Sequence, residues 1–303
     1  MEWMLLVLAY GVLKGIRDIA KKKALTKNGV VEVLFVYTLL AFLFVTPEVK
    51  NAGGVPLKEM LLIAFKSFII FIAFLCSFYA IEKMPISLYG VLDLSRMLFS
   101  MLLGVVVLKE KLGLYQIIGL VLVSGGLLLL RYRPPFLKKK SVSVNGEDAT
   151  CVERESGKGE KIATYIFVLA FVSTFLNAVS GNLDKILMST GNVTDGQLQF
   201  WYMLFMLAYY AIYVIVTRTK INWRSVLKNG YVWLISVLFI IADRCLFIAN
   251  GIAGSRVTVM TLLKQICCVV TIVGGRVIFK EKDTAYRMFC AFVVIAGIVI
   301  SVL

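Results

Sequence analysis

The chain has 303 residues, 60% of them apolar types, with a mean hydropathy of +0.87 and a formal charge of +15. Soluble domains contain roughly 45–50% apolar residues, so a water-soluble fold of this size could not bury the excess. Histidine is absent, which removes the commonest general base and metal ligand and, with them, Ser-His chemistry and most catalytic zinc.

A bilayer core of ~30 Å requires about 20 apolar residues per helix. Ten runs of about that length are predicted as helices, over residues 3–20, 30–46, 60–80, 86–108, 112–130, 162–183, 197–217, 229–249, 257–279 and 284–303. The fold class expected is an all-α integral membrane protein. The first run ends on Lys21, Lys22 and Lys23 without a small-residue cleavage site, so a mature helix is expected there and not a signal peptide.

Most Lys and Arg residues fall between the runs, without the aromatic-interleaved basic stripe of a nucleic-acid binder. The expected partner is therefore the lipid bilayer, not nucleic acid. Cys76, Cys245, Cys267, Cys268 and Cys290 lie within runs and lack zinc or redox spacing, which suits packing residues.

Between the fifth and sixth runs, a stretch carrying Pro134, Pro135, Lys138–Lys140 and alternating charges predicts a solvated linker. The chain thus divides into 1–131, 132–161 and 162–303. The flanking parts repeat one another: Leu108, Lys109, Glu110, Lys111 and Tyr115 recur as Phe279, Lys280, Glu281, Lys282 and Tyr286. At the same offset Gly104 meets Gly275, Gly126 meets Gly297, Ser87 meets Thr258, and Asp93 meets Lys264. A weaker correspondence sets Lys14, Arg17, Asp18 and Lys21 opposite Asn177, Ser180, Gly181 and Asp184.

Because each repeat holds five runs, an odd number, the second must enter the bilayer from the opposite side. Ten transmembrane helices are expected as two inverted five-helix repeats, the plan of many secondary transporters whose solute site lies near the midplane.

This layout, with the Lys109-Glu110-Lys111 turn followed by Gln116, Gly119 and Gly126, resembles the drug/metabolite transporter superfamily, particularly its ten-helix EamA type. The second copy keeps Lys280-Glu281-Lys282 and Gly297 but has Arg287 and Cys290 in place of the glutamine and first glycine. The resemblance implies a carrier of small metabolites with no organic cofactor, in a bacterial cytoplasmic membrane. It also implies a cavity between the first, third, fourth, sixth, eighth and ninth runs.

Ionisable groups inside a bilayer are costly, so they are paired, snorkelled or line a wet path. Asn177, Ser180, Gly181 and Asp184 share one helical face, as do Lys14, Arg17 and Asp18. Lys14 and Asp18 are spaced for a local ion pair that leaves Arg17 unpaired within its helix, and Asp93 and Arg96 are spaced for another. Lys264 has no acidic residue one turn away; a bridge to Asp243 is the structural alternative to a solute contact. The candidate substrate-binding residues are Lys14, Tyr79, Tyr89, Asp93, Arg96, Asn177, Ser180, Asp243, Arg244, Lys264 and Gln265. Lys66 fits either a cavity-lining or a buried neutral side chain.

Lys and Arg concentrate after the odd-numbered runs. The positive-inside rule then expects both termini outside, whereas the resemblance implies termini inside, and both orientations stay open. The expected function is secondary transport of a small polar metabolite such as an amino acid, by export or exchange, through alternating access. Energy would come from a solute gradient, a coupling proton or a counter-solute, since no Walker loop is present. The alternatives are an exchanger of anionic metabolites such as sugar phosphates or nucleotide sugars, and a non-transporting scaffold or lipid flippase. An intramembrane aspartyl protease ranks below these because no matching motif surrounds Asp93 or Asp243.

Overall fold

A computed structural model describes residues 2–96, 98–99, 114–131, 163–189, 191–252, 260, 263–281 and 283–302. The first Lys-Glu-Lys turn, Gly104, Thr258 and the linker proper lie outside the described residues. Among the described residues the chain is helical and has no β-strand. The helices are α1 (Glu2–Leu25), α2 (Val30–Val45), α3 (Leu57–Lys83), α4 (Ile86–Asp93), α5 (Leu114–Arg131), α6 (Thr164–Ser189), α7 (Asp195–Thr217), α8 (Trp223–Lys228), α9 (Gly230–Gly251), α10 (Ile266–Phe279) and α11 (Thr284–Val302).

Each predicted run coincides with a helix in whole or part, and α8 is a short addition. Among the described residues, five helices are long and apolar enough to cross a membrane: Val30–Lys50, Leu57–Lys83, Thr164–Met188, Asp195–Thr217 and Gly230–Ala249. The first of these continues α2 through a 3-10 turn at Thr46–Asn51.

Local chemistry sets the boundaries. Pro56 and Pro85 stand immediately before α3 and α4, where a missing N–H costs nothing. At the start of α7, Thr194 Oγ1 accepts from Gln197 N at 3.3 Å while Gln197 Oε1 accepts from Thr194 N at 2.9 Å, satisfying two otherwise free donors. Helices α7 and α10 stop where Arg218 and Lys280 take positive φ angles of 50° and 52°.

Helix α1 packs on α9 and α10, α3 on α6 and α7, α2 on α7 and α9, α4 on α10, and α5 on α11. The α2–α3–α9 core is aromatic: Tyr37 stacks on Phe78 with centroids 5.6 Å apart and meets Phe239 edge-on at 5.8 Å. The outward faces carry exposed Leu61, Phe65, Phe68, Ile212 and Ile215, as hydrocarbon surroundings require.

Candidate functional site

Helix α1 brings charge into the middle of the bundle. Lys14, Arg17, Asp18 and Lys21 recur at three- and four-residue spacing and so share one face, and all four are buried. Gly11 lets that face approach α10: a Cβ there would stand 2.5 Å from Ile266 Cγ2 and 3.3 Å from the carbonyl oxygens of Leu263 and Lys264.

The pairing differs from the local arrangement expected. Lys14 bonds Asp93 of α4, and its ammonium also lies 3.7 Å from Cys267 Sγ. Arg96 reaches the same carboxylate at 3.1 Å, as its three-residue spacing from Asp93 predicts. Asp18 takes Lys21 at 2.8 Å, so the expected Lys14–Asp18 pair is not formed. The Lys21 ammonium rests over Phe74 and Phe78 at 5.4 and 5.1 Å, contacts that hold a buried cation partly by the ring quadrupoles.

Arg17 stands 3.8 Å from Asp243 of α9 and stacks over Phe239 at 4.9 Å. The expected Asp243–Lys264 bridge is therefore replaced by an Arg17–Asp243 contact. It is a loose one, because Nε and Nη1 of Arg17 are buried without a hydrogen-bond acceptor. On the other flank Lys66 of α3 pairs with Asp184 of α6 while lying 4.1 Å over the Tyr202 ring. Lys66 is thus ion-paired, which neither sequence-based alternative specified.

Two helices tighten locally beside their charged residues. Past Asp93 the Leu94 N–H bonds Val91 O at 3.2 Å, and past Lys264 the Cys268 N–H bonds Gln265 O at 2.9 Å. Both are three-residue bonds in place of the α-helical four. Lys264 lies 5.8 Å over the Tyr10 ring, and no carboxylate among the described residues is within ion-pair distance of it. Its electrostatic neighbours are Arg96, Asp184, Lys14 and Asp243. The adjoining Gln265 is buried.

The remaining candidates divide between this centre and other places. Tyr89 is buried and donates to Ser77 Oγ at 2.9 Å. Asn177 donates to the Ser173 carbonyl of its own helix at 2.8 Å, and Ser180 is buried. Tyr79 lies toward the Lys83 end of α3, near Tyr213 and Glu82. Arg244 pairs with Glu48 at 3.0 Å and Asp195 at 3.1 Å. It borders a crevice of about 400 Å³ with Phe44, Ile240 and Ile248 among its walls. Adjacent helical residues point apart, so Asp243 faces α1 while Arg244 faces α2 and α7.

Glu281 was legible as part of a repeat but not for what it does. Its carboxylate accepts Ile86 N at 2.6 Å and Ser87 N at 3.1 Å, capping α4, and also accepts the Ser87 hydroxyl. Arg287 holds the same oxygen at 2.9 Å. Free N–H groups at a helix start favour such a carboxylate.

An all-helical bundle with five apolar helices of spanning length among the described residues fits a membrane protein. Residues 1–132 match the EamA-like transporter family. A solved structure, described only as the crystal structure of a protein, is similar over 98% of this chain and 95% of its own. It has a TM-score of 0.62 at 12% identity, a likeness of fold alone. No curated protein matches the sequence.

Proposed function

We propose that the chain is a secondary transporter of a small polar metabolite, an exporter or exchanger, built from inverted repeats at 1–131 and 162–303 with 132–161 as linker. In this reading α1 corresponds to α6, α2 to α7, α3 to α9, α4 to α10 and α5 to α11. Several packing pairs support it: α1 on α9 is matched by α6 on α3, α1 on α10 by α6 on α4, and α2 on α9 by α7 on α3. So does the break in regular helix at Leu94 and Gln265, turn residues at equivalent positions beside the equivalent residues Asp93 and Lys264. Gly126 and Gly297, another equivalent pair, each admit the opposing helix of the α5–α11 contact: a Cβ would meet Val294 at 2.6 Å and Leu122 at 2.8 Å respectively.

The observation that carries the proposal is the line of ionised groups between the two parts. Arg17–Asp243 and Lys66–Asp184 cross from one part to the other, and Lys14–Asp93–Arg96 lies against α10. A purely structural bundle would be at least as stable with well-packed apolar residues there, whereas a carrier needs polar groups that can exchange protein partners for a solute. Lys14, Asp93, Arg96, Asp243 and Lys264 are the proposed solute-facing groups, with Tyr89, Asn177, Ser180 and Gln265 around them. Rocking of the parts about this centre would open it to each side in turn, driven by a solute gradient, a coupling proton or a counter-solute.

The test is counterflow in proteoliposomes preloaded with an unlabelled metabolite mixture and offered labelled members of it. Transient accumulation of a labelled solute, abolished by Asp93→Asn in protein that remains folded, is the expected result. A folded wild-type protein that moves none of them would defeat the proposal and favour the scaffold reading.

A further inference from the structure

The charges at the centre do not balance. Among the described residues at the centre, Lys14, Arg17, Lys21, Lys66, Arg96 and Lys264 face four carboxylates, Asp18, Asp93, Asp184 and Asp243. Asp93 already serves both Lys14 and Arg96. Arg17 has two buried N–H donors with no acceptor, although its side chain is only 5% exposed. Lys264 has an aromatic ring beside it and no carboxylate within ion-pair distance among the described residues. Residues 84–108 contain no acidic residue but Asp93, and 252–279 contain none, so the helices of α4 and α10 have no further carboxylate to supply.

Arg17 has Asp243 as a carboxylate contact at 3.8 Å through Nη1, and Lys264 has the Tyr10 ring at 5.8 Å; electrostatic coupling to Tyr10 and Asp243 relates the two. Tyr10, the ring beneath Lys264, is buried and has Arg96, Lys14, Asp243 and Arg17 as its electrostatic neighbours. Asp243, the contact of Arg17, is also an electrostatic neighbour of Lys264. A guanidinium offers N–H groups in a planar fork suited to carboxylate or phosphate oxygens, and an ammonium adds a point charge. Arg17 is buried and Lys264 partly exposed; cations so placed in a membrane protein are costly unless something supplies the missing negative charge.

We propose that the solute is an anion whose carboxylate or phosphate oxygens are held by the Lys264 ammonium and the free N–H groups of Arg17, above the Tyr10 ring. This rests on the carrier reading and narrows it to one substrate class. The solute restores the charge balance that the protein alone lacks.

The experiment measures thermal unfolding of the purified full chain at matched ionic strength. The probes are inorganic phosphate, L-glutamate and glucose 6-phosphate, with glucose and L-lysine as controls. At least one anion is expected to raise the Tm by several degrees while the controls do not. That shift should vanish in Lys264→Met and persist in Lys264→Arg. Phosphate compounds acting alone would assign a phosphate group, and glutamate acting alone a carboxylate. Lys264→Met should fold, because it removes an unbalanced charge; Arg17→Gln provides a second variant in which the anion shift is expected to fall.

Equal anion shifts in wild type and Lys264→Met, no shift with any of the three anions, or stabilisation by lysine or glucose alone would overturn the proposal. Counterflow separates the two readings. Flux of a neutral or cationic solute without an anion shift defeats the anion site and keeps the carrier. An anion shift without flux of any solute keeps the site and defeats the carrier.

Discussion

Lys14 of α1 and Asp93 of α4 bond one another inside the bundle, and Arg96 shares the same carboxylate at 3.1 Å. The arrangement makes one aspartate the anchor of two cations from different helices. In the proposed carrier its stability and its availability to a solute are linked: whatever draws one cation away leaves the other to hold Asp93.

Asp93→Asn should thus destabilise the protein more than Lys14→Met. The asparagine leaves the buried Lys14 and the half-buried Arg96 without a carboxylate, whereas loss of Lys14 leaves Asp93 with Arg96. Breaking a buried pair costs about 3–5 kcal/mol, and Lys14→Met is expected below that range. Thermal unfolding of both variants in detergent checks the order; equal losses would mean that Arg96 does not hold the carboxylate alone.

The Lys66–Asp184 contact, which joins α3 to α6, calls for a double-mutant cycle. Lys66→Met and Asp184→Asn each strand a buried group. The double variant should be more stable than the additive expectation, with a coupling energy of about 1–3 kcal/mol. A cycle that closes with no coupling would remove this pair from the energetics of the bundle.

Glu281→Gln tests the tie between the α10–α11 turn and α4. The substitution keeps the side chain's shape but weakens charge-assisted bonds to Ile86 N and Ser87 N and deprives Arg287 of its carboxylate. A loss of about 1–3 kcal/mol is expected, with faster amide exchange at Ile86 and Ser87 than elsewhere in α4. Unchanged exchange at those two amides would show that the cap does not hold the helix start.

Close approach of α1 to α10 predicts intolerance at Gly11. Even the single methyl of Gly11→Ala would stand 2.5 Å from Ile266 Cγ2, and overpacking of this kind costs about 1–3 kcal/mol. Ile266→Val in the same chain should recover part of the loss. Wild-type stability in Gly11→Ala would mean that the helices separate freely.

Hydrophobic run length made the helices legible because the bilayer imposes it, and α1 was found despite its charges because its apolar residues bracket them. Asp93–Arg96 was legible because both lie on one helix one turn apart. Lys14–Asp93, Arg17–Asp243 and Lys66–Asp184 were not, since each joins helices whose relative rotation is set by packing and no spacing along the chain encodes it. For the same reason Lys14 abandoned the nearby Asp18: the face it shares with Arg17 and Lys21 looks toward α4, α9 and α10, where Asp93 waits and Lys21 can take Asp18. Arg244 shows the converse. Its position in a run suggested the centre, but one residue's rotation past Asp243 carries it to Glu48 and Asp195. Glu281 stood out through the repeat, yet its partner Ile86 is 195 residues away, beyond any local capping pattern.

The central claim, a polar centre opened to each side of the membrane in turn, is tested most directly by two-sided accessibility. Asn177→Cys, whose native amide bonds Ser173 of its own helix, would be placed in an otherwise cysteine-free chain in oriented proteoliposomes. Impermeant maleimide would then be applied to either side. The account predicts labelling from both sides, with a transported solute changing the two rates in opposite directions; labelling confined to one side, or unaffected by any solute that the protein moves, would contradict it.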